Sequence, residues 1–449
     1  FVSDANSAIL DDGRVLQAIV QGNPFLRQNK IYNPTSNTYI AAPSCIGYHN
    51  ESTWLKLRDN SILMVDRDTR NSERYIQATN TWIADGTLPV DLYDIYGSET
   101  GAAVLLPDGR AWFVGSTGHT AYYTPSGSTA AGTWVAGPDV PSGKGQPDAP
   151  AAMMVNGKVL LSVSPKASAA GVFRTPTTFY EFDPLTNVYT SLTTPGGGAS
   201  ANIPVYQNMM LDLPDGTVLT TYQDSTNYYI YTPVGVLPRS YRPKISSVTK
   251  NTTDNAYTLI GTLLNGITEG AIYGDDFQMN TNYPIVRLTA GTNVYYARTY
   301  NWNSTGVYRK GLTDTVQFEL PAGLPQQTYQ LVVSANGLAS KAVSFTPSAA
   351  FAQTTSVEDN VAATQYTKLK IYPNPVHGEA NIQFSITKSA QVSIKLYDVN
   401  GKDMKTIISS TLTAGDHSLQ FNTNGLPAGV YYLKLVTPDK TENIKLVVH

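Results

Sequence analysis

Five segments of this chain repeat one pattern, an apolar run, a two-residue turn and a second apolar run: AILDDGRVLQAIV, LKLRDNSILMVD, AVLLPDGRAWFVG, MMVNGKVLLSV and LDLPDGTVLTTY. Asp-Gly or Asn-Gly between apolar stretches signals a β-hairpin, because glycine adopts the left-handed backbone a tight turn demands. With Asp12, Asp59, Asp108, Asn156 and Asp215 as equivalent turn positions, the spacings are 47, 49, 48 and 59 residues. A unit recurring at such a period cannot bury its apolar face alone, so neighbouring units must stack. A second motif follows, in IYNPTSNTYIAAP, RYIQATNTWIADG, YYTPSGSTAAGTWVAGP and FYEFDPLTNVYTSL: an aromatic, a turn, then Trp or Tyr. An aromatic returning once per period is a packing device between neighbouring units. The 29 Tyr, 35 Gly and 27 Pro suit the same all-β reading.

The remaining composition works by exclusion. Lys+Arg (31) nearly cancels Asp+Glu (34), so the chain lacks the basic field that nucleic acid requires. One cysteine, Cys45, excludes an intramolecular disulfide framework and every multi-cysteine zinc or iron-sulfur motif. The sequence lacks a run of about 18 apolar residues, so a membrane-spanning helix is not expected. The opening segment FVSDANSAILDDGR lies inside a repeat without a Met or a charged, apolar leader, which reads as a trimmed N-terminus.

The hairpin period and aromatic spacing resemble the kelch-repeat β-propellers, whose blades recur at about 50 residues. The paired glycines usual in those blades are replaced by Ala18 to Gln21 and Val65 to Arg67. At Arg239 the character changes to period-2 segments, TLIGTLL, IVRLTA, VYYARTYNW, TVQFELP, YQLVVSANG and AVSFTP, about the size of one immunoglobulin-like sandwich. The junction Arg242-Pro243-Lys244-Ile245 is similar to that of the galactose-oxidase-like group, in which the last blade runs into an early-set sandwich. The expected organisation is a propeller over 1–238, a sandwich over 239–347 and a polar linker over 348–368. Five blades are visible where that group has seven, so two would lie upstream or the ring is incomplete.

The segment 369–449 resembles the C-terminal sorting domain of the type IX secretion system, again an immunoglobulin-like sandwich. The motifs are Tyr372-Pro373-Asn374-Pro375, Leu396-Tyr397-Asp398 with Asn400-Gly401, Gly429-Val430-Tyr431 and Lys445-Leu446-Val447, in order. This resemblance implies the secretion machinery as a partner and export across the outer membrane of a Gram-negative cell. The domain would normally be cleaved, with the rest released or attached to surface lipopolysaccharide.

The galactose-oxidase resemblance also implies a copper ion held by two His and two Tyr, one Tyr cross-linked to a Cys. Copper(II) favours imidazole and phenolate, so losing both imidazoles should abolish the site. Here the Tyr-His pair before the last hairpin becomes Tyr206 and Gln207, and the His of the sandwich loop becomes Arg298, which has no lone pair for a metal. The radical Tyr position falls on Thr100, and the cross-linked Cys position falls nearest Glu51 rather than Cys45. Eight residues before each turn stand Asp4, Glu51, Thr100, Asp148 and Gln207. Three carboxylates facing one channel would repel without a cation. One reading makes Arg298 a plug that pairs with them; others leave them to a cation, to a sugar, or as solvated rim residues at separate heights.

His119 is read as a hydrogen-bonded structural residue, with a metal shared with His49 as the alternative. The stretch with Asp275, Asp276, Asn280 and Asn282 lacks the acid spacing of a calcium loop and reads as an acidic turn against the propeller. Nucleophile-elbow, phosphate-loop and His-Glu-x-x-His motifs are missing. The expected function is a secreted or surface-exposed non-catalytic binding or structural protein, carbohydrate-associated, without cofactor or metal. The alternative is an oxidase or glycan-acting enzyme rebuilt around Asp4, Glu51, Asp148, Tyr206 and Arg298.

Overall fold

A computed structural model describes residues 6–448 other than 20–26, 253, 269–270, 274–276, 280–281, 310, 349–368, 373, 377, 387, 400 and 439. The described chain is all-β: its only helical pieces are three-residue 3-10 turns at Pro141–Gly143, Val205–Gln207 and Arg239–Tyr241. It divides into two compact units, Phe1–Ala352 and Gln353–His449.

The five sequence repeats each build one antiparallel meander. The first sheet contains Ser7–Ile9, Val15–Ile19, Gln28–Asn33 and Thr38–Ala41, and the second Trp54–Lys56, Ile62–Val65, Asn71–Ile76 and Thr81–Thr87. The third contains Ala103–Leu105, Ala111–Val114, Thr120–Thr124 and Thr133–Ala136. The fourth contains Ala151–Met153, Val159–Pro165, Thr178–Asp183 and Val188–Leu192, and the fifth has three strands, Asn208–Asp212, Val218–Tyr222 and Tyr228–Tyr231.

The hairpin turns differ from the expected two-residue form. Leu10 and Arg14 pair across a three-residue loop, with Leu10 N donating to Arg14 O (2.8 Å) and Gly13 N to Leu10 O (3.0 Å). The turn residue that needs positive φ is therefore the third, Gly13 at +83°, the geometry of a tight turn closed by a left-handed residue. The Asp12 carboxylate is free to accept the Arg14 N–H at 3.0 Å. The same side-chain bond recurs at Asp59, Asp108, Asn156 and Asp215, each to the amide two residues on. Asn60, at φ +64°, replaces the glycine in the second repeat, and asparagine is among the few side chains that tolerate that region.

The outer hairpins carry the repeating aromatics as cross-strand pairs. Tyr32 meets Tyr39, Tyr75 meets Trp82, Tyr123 meets Trp134 and Phe182 meets Tyr189, with ring centroids 4.5–5.4 Å apart. Apolar clusters then join the sheets in chain order. One contains Leu16 and Ile31 of the first sheet with Trp54 and Met64 of the second; the largest runs through the second, third and fourth; another joins the fourth to the fifth through Phe179 and Met210. Between the third and fourth sheets Trp112 stacks on Phe182 at 4.3 Å. Each fully buried ring of this size stabilises by roughly 1.5–3 kcal/mol.

After the fifth sheet the chain forms two sheets over a shared core of Leu259, Val286, Leu288, Phe318, Tyr329 and Leu331. The strand Asn293–Tyr300 belongs to both: up to Ala297 it pairs with Ile285–Ala290, and from Arg298 it pairs with Asp314–Glu319. The hairpin Ala271–Tyr273 and Phe277–Met279 leaves this region and extends the fourth repeat sheet, with Ala151 opposite Ile272. Its strands lie beside the inner strands of the first, third and fifth sheets as well.

In the second unit, Lys370–Tyr372, Glu379–Ile386 and Gly415–Asn422 form one sheet; Asp403–Leu412, Ala390–Asp398, Gly429–Val436 and Thr441–Val448 form the other. Strict alternation puts Ile382, Phe384, Ile394, Leu396, Leu433 and Leu446 into one core. Asn374 fastens the last strand, its Nδ2 donating to Lys445 O (2.7 Å) and its Oδ1 accepting from Val447 N (2.9 Å). Tyr431 is buried and donates its hydroxyl hydrogen to Pro427 O at 2.8 Å, Gly429 pairs with Val448, and Tyr372 and Pro375 stay exposed. Pro373 lies outside the described residues.

Candidate functional site

The expected inner positions are brought together in part. Thr100 links two of them: its hydroxyl donates to Glu51 O at 2.9 Å, and its carbonyl accepts from Asp148 N at 2.9 Å. Glu51 (φ +54°) and Asp148 (φ +47°) both take left-handed backbone on the loops entering their sheets. Tyr206 and Gln207 sit in a 3-10 turn, with the Tyr206 ring against Phe173 at 4.8 Å and Gln207 O accepting from Gln223 N. Asp4, Asp275, Asp276 and Asn280 lie outside the described residues, whereas Asn282 is buried.

Arg298 corrects the plug expectation. It lies on the exposed face of its strand, with its side chain 77 % accessible, 3.7 Å from Glu319 and beside the Tyr300 ring. Alternation is the cause, since Ala297 turns into the core and leaves Arg298 outward. The backbone that reaches the inner strands belongs instead to the strands Ala271–Tyr273 and Phe277–Met279. The copper group implied by the galactose-oxidase resemblance therefore does not fit: its positions are held by an amide, an exposed guanidinium and the Thr100 hydroxyl. His119 does not join His49. It pairs with Asp139 at 2.8 Å on the surface, while His49 is buried against Trp54 and Trp82.

Arg298 instead lines a cleft of about 610 Å³ with Leu213, Pro214, Asp215, Tyr283, Tyr296 and Trp302. One wall is the fifth repeat turn. Ser334 Oγ donates to Pro214 O (2.7 Å), and Gly337 comes so close to Gly216 that a Cβ on Gly337 would stand 2.5 Å from the Gly216 Cα. A second part of the lining is Tyr296 and Arg298, two residues apart and so on the same face.

Tyr283 and Trp302, 6.0 Å apart, form the third wall, which they also lend to a smaller cavity of about 170 Å³ containing Asn265 and Thr305. Trp302 opens a loop pinned along its length. Ser304 donates to Asp11, Thr305 Oγ1 donates to Leu10 O (2.6 Å), and the buried Lys56 donates to Ile9 O (2.8 Å) and Thr305 O (3.0 Å). Arg58 lies over the Tyr308 ring at 3.9 Å.

Three rings remain available to a ligand here: Tyr283 is 39 %, Tyr296 48 % and Trp302 36 % exposed. Burial pushes the Asp215 carboxyl up, but hydrogen bonds from Thr217 and the nearby Arg287 outweigh it and hold it below the ordinary range. The cleft thus offers rigid aromatic faces, a fixed carboxylate and an exposed guanidinium. Such volume and lining are typical of sites for small organic ligands. The sequence held a signal for these residues in YYARTYNW, where Tyr296 and Arg298 alternate with the core residues Tyr295 and Ala297; Tyr283 and Trp302 come to them only through the fold.

Residues 370–449 match the family model described as a secretion system C-terminal sorting domain. No curated protein matches the chain in sequence. Among solved structures, it is similar to PorZ, an essential surface component of the type IX secretion system of Porphyromonas gingivalis, at 11 % identity over 100 % of this chain and 59 % of that one (TM-score 0.34). It is also similar to the extracellular domain of the hybrid two-component system BT4673 of B. thetaiotaomicron, at 12 % identity over 100 % and 57 % (TM-score 0.33). A third is virginiamycin B lyase of Staphylococcus aureus, at 10 % identity over 71 % and 95 % (TM-score 0.33). The chain spans less than two thirds of the length of the first two. No helix among the described residues is long and apolar enough to cross a membrane. Residues 370–449 are a type IX secretion sorting domain, and the protein is secreted or held at the cell surface.

Proposed function

We propose that this protein is an exported, non-catalytic binding protein whose aromatic cleft takes carbohydrate. In this reading residues 1–238 are a kelch-type propeller, 239–347 an early-set immunoglobulin-like sandwich, and 369–449 the sorting domain that engages the secretion machinery. The five spaced hairpins, one aromatic pair per outer hairpin in four of them, and apolar clusters joining the sheets in order support the propeller reading.

The observation that carries the ligand class is the grouping of Tyr283, Tyr296 and Trp302 with Asp215 and Arg298 around one cleft. A sugar ring presents an apolar C–H face and a polar edge. Exposed rings stack on the first, while a carboxylate and a planar guanidinium can bind neighbouring hydroxyls on the second. The same residues lack a nucleophile-base pair, which supports binding over turnover.

The test is a glycan array with the full chain, followed by calorimetry on the glycan captured. Trp302→Ala and Tyr296→Ala should each weaken binding about tenfold, or roughly 1.4 kcal/mol, with an unchanged circular dichroism spectrum. Silence across the array, or binding that both variants leave intact, overturns the reading.

A further inference from the structure

Away from the cleft, the second repeat sheet buries a cluster that the proposed function does not use. Cys45 and His49 come from the segment that joins the first sheet to the second, and Glu73 comes from the strand Asn71–Ile76. They are 5 %, 1 % and 2 % exposed. The Cys45 sulfur, an imidazole nitrogen of His49 and a carboxylate oxygen of Glu73 all lie within 4.8 Å of one another.

We propose that Cys45, His49 and Glu73 form a structural site for a zinc-class divalent cation. The donor set is one soft sulfur, one imidazole and one carboxylate, the three ligand types that zinc accepts, and it leaves one of four positions for a water. Charge argues the same way. Glu73 receives hydrogen bonds from Ile46 N (2.8 Å) and Gly47 N (2.9 Å) and lies 3.0 Å from His49 Nε2, and neither Lys nor Arg reaches it among the described residues. A buried carboxylate without a cationic partner is costly. A divalent cation with one thiolate, one carboxylate and a neutral imidazole brings the cluster to zero net charge.

The surroundings favour a fixed site. Trp54 and Trp82 pack in T-shaped contacts with the His49 ring, centroids 5.1 and 4.6 Å away, which shields it from water. One ring nitrogen is held by Glu73 and the other, Nδ1, has no hydrogen-bond partner among the described residues, so a lone pair is available in either tautomer. The two amides that hold Glu73 belong to the segment between Cys45 and His49, so these bonds orient the carboxylate as a ligand's outer partners do. Sequence spacing hid the site, because only the fold adds Glu73 to the Cys45–His49 pair.

The experiment uses the full, untagged chain, dialysed against zinc and then, after chelation, against cobalt(II). The expected result is one equivalent of zinc by elemental analysis, a raised melting temperature, and a near-ultraviolet charge-transfer band with cobalt, the mark of a thiolate ligand. Cys45→Ser should abolish the band and lower zinc affinity more than about tenfold; Glu73→Gln, which keeps its shape, should lower it without removing the band. Less than about a tenth of an equivalent bound, or cobalt bound without the band, overturns the proposal even if the variants fail to fold.

Discussion

The repeat sheets and the sorting unit are both all-β, yet they treat polar groups in opposite ways. Among the described residues the sorting unit buries one polar side chain, Thr423; the first unit buries Lys56, Glu73, Arg74, His49, Asp94, Asp212 and Asp314 among many others. The sorting unit is held chiefly by an alternating apolar core, with Asn374 fastening its last strand, a pattern that many sequences can satisfy. The first unit uses buried charge to join one sheet to the next. A domain shared as an export tag gains from the first solution. A unit that must hold a cleft and a buried cluster in fixed positions needs the second.

The largest test of that contrast is Arg74. It is fully buried, pairs with Asp85, and bonds Ser128 O (3.1 Å) and Ala130 O (2.6 Å) of the third repeat. Arg74→Met leaves Asp85 buried without its cation and should cost about 3–5 kcal/mol. All five Trp lie between 54 and 302, so tryptophan fluorescence during urea unfolding reports the first unit alone. An unchanged midpoint would break the comparison.

Asp212 tests it from the other side. Burial raises its carboxyl from 3.8 to about 8, and its Oδ2 has no hydrogen-bond partner among the described residues. The folded chain therefore holds this proton more tightly than the unfolded chain between those values. Its contribution is intact below pH 3.8 and is lost as pH rises through about 8. Asp212→Asn should match the parent near pH 4 and exceed it by about a few kcal/mol at pH 9. Thermal unfolding of both chains across that range decides it, and parallel curves would show that the acid is solvated.

The smallest effect is expected in the sorting unit. Asn374→Ala removes two bonds to the last strand and should cost about 1–2 kcal/mol. Faster hydrogen exchange confined to 441–448, with the tryptophan-detected transition unmoved, would sharpen the difference. A shift in that transition would erase it.

How much of this was legible beforehand follows the same division. Asp12 to Asp215 marked all five hairpins because a turn is chosen locally, although a two-residue loop and a three-residue loop share the Asp-Gly signature and only backbone pairing separates them. Tyr75 and Trp82 could be read as partners because they are seven residues apart across one turn. Cys45 with Glu73, and Asp215 with Tyr296, come from distant segments whose meeting depends on how sheets stack. Arg298 turns outward because the parity of its strand, which a family resemblance does not carry, decides which way the side chain faces.

The pairing of Ala151 with Ile272 has a consequence in time. The fourth sheet would be complete, strand for strand, once residue 192 is synthesised, but its inner edge waits for a hairpin some 80 residues further on. Contacts of such separation are slow to form, because the intervening loop must be closed first. The fourth repeat thus cannot be completed until the strand Ala271–Tyr273 has left the ribosome. The inner edge of the fourth sheet closes late, and until then it remains an open strand that a second chain can capture.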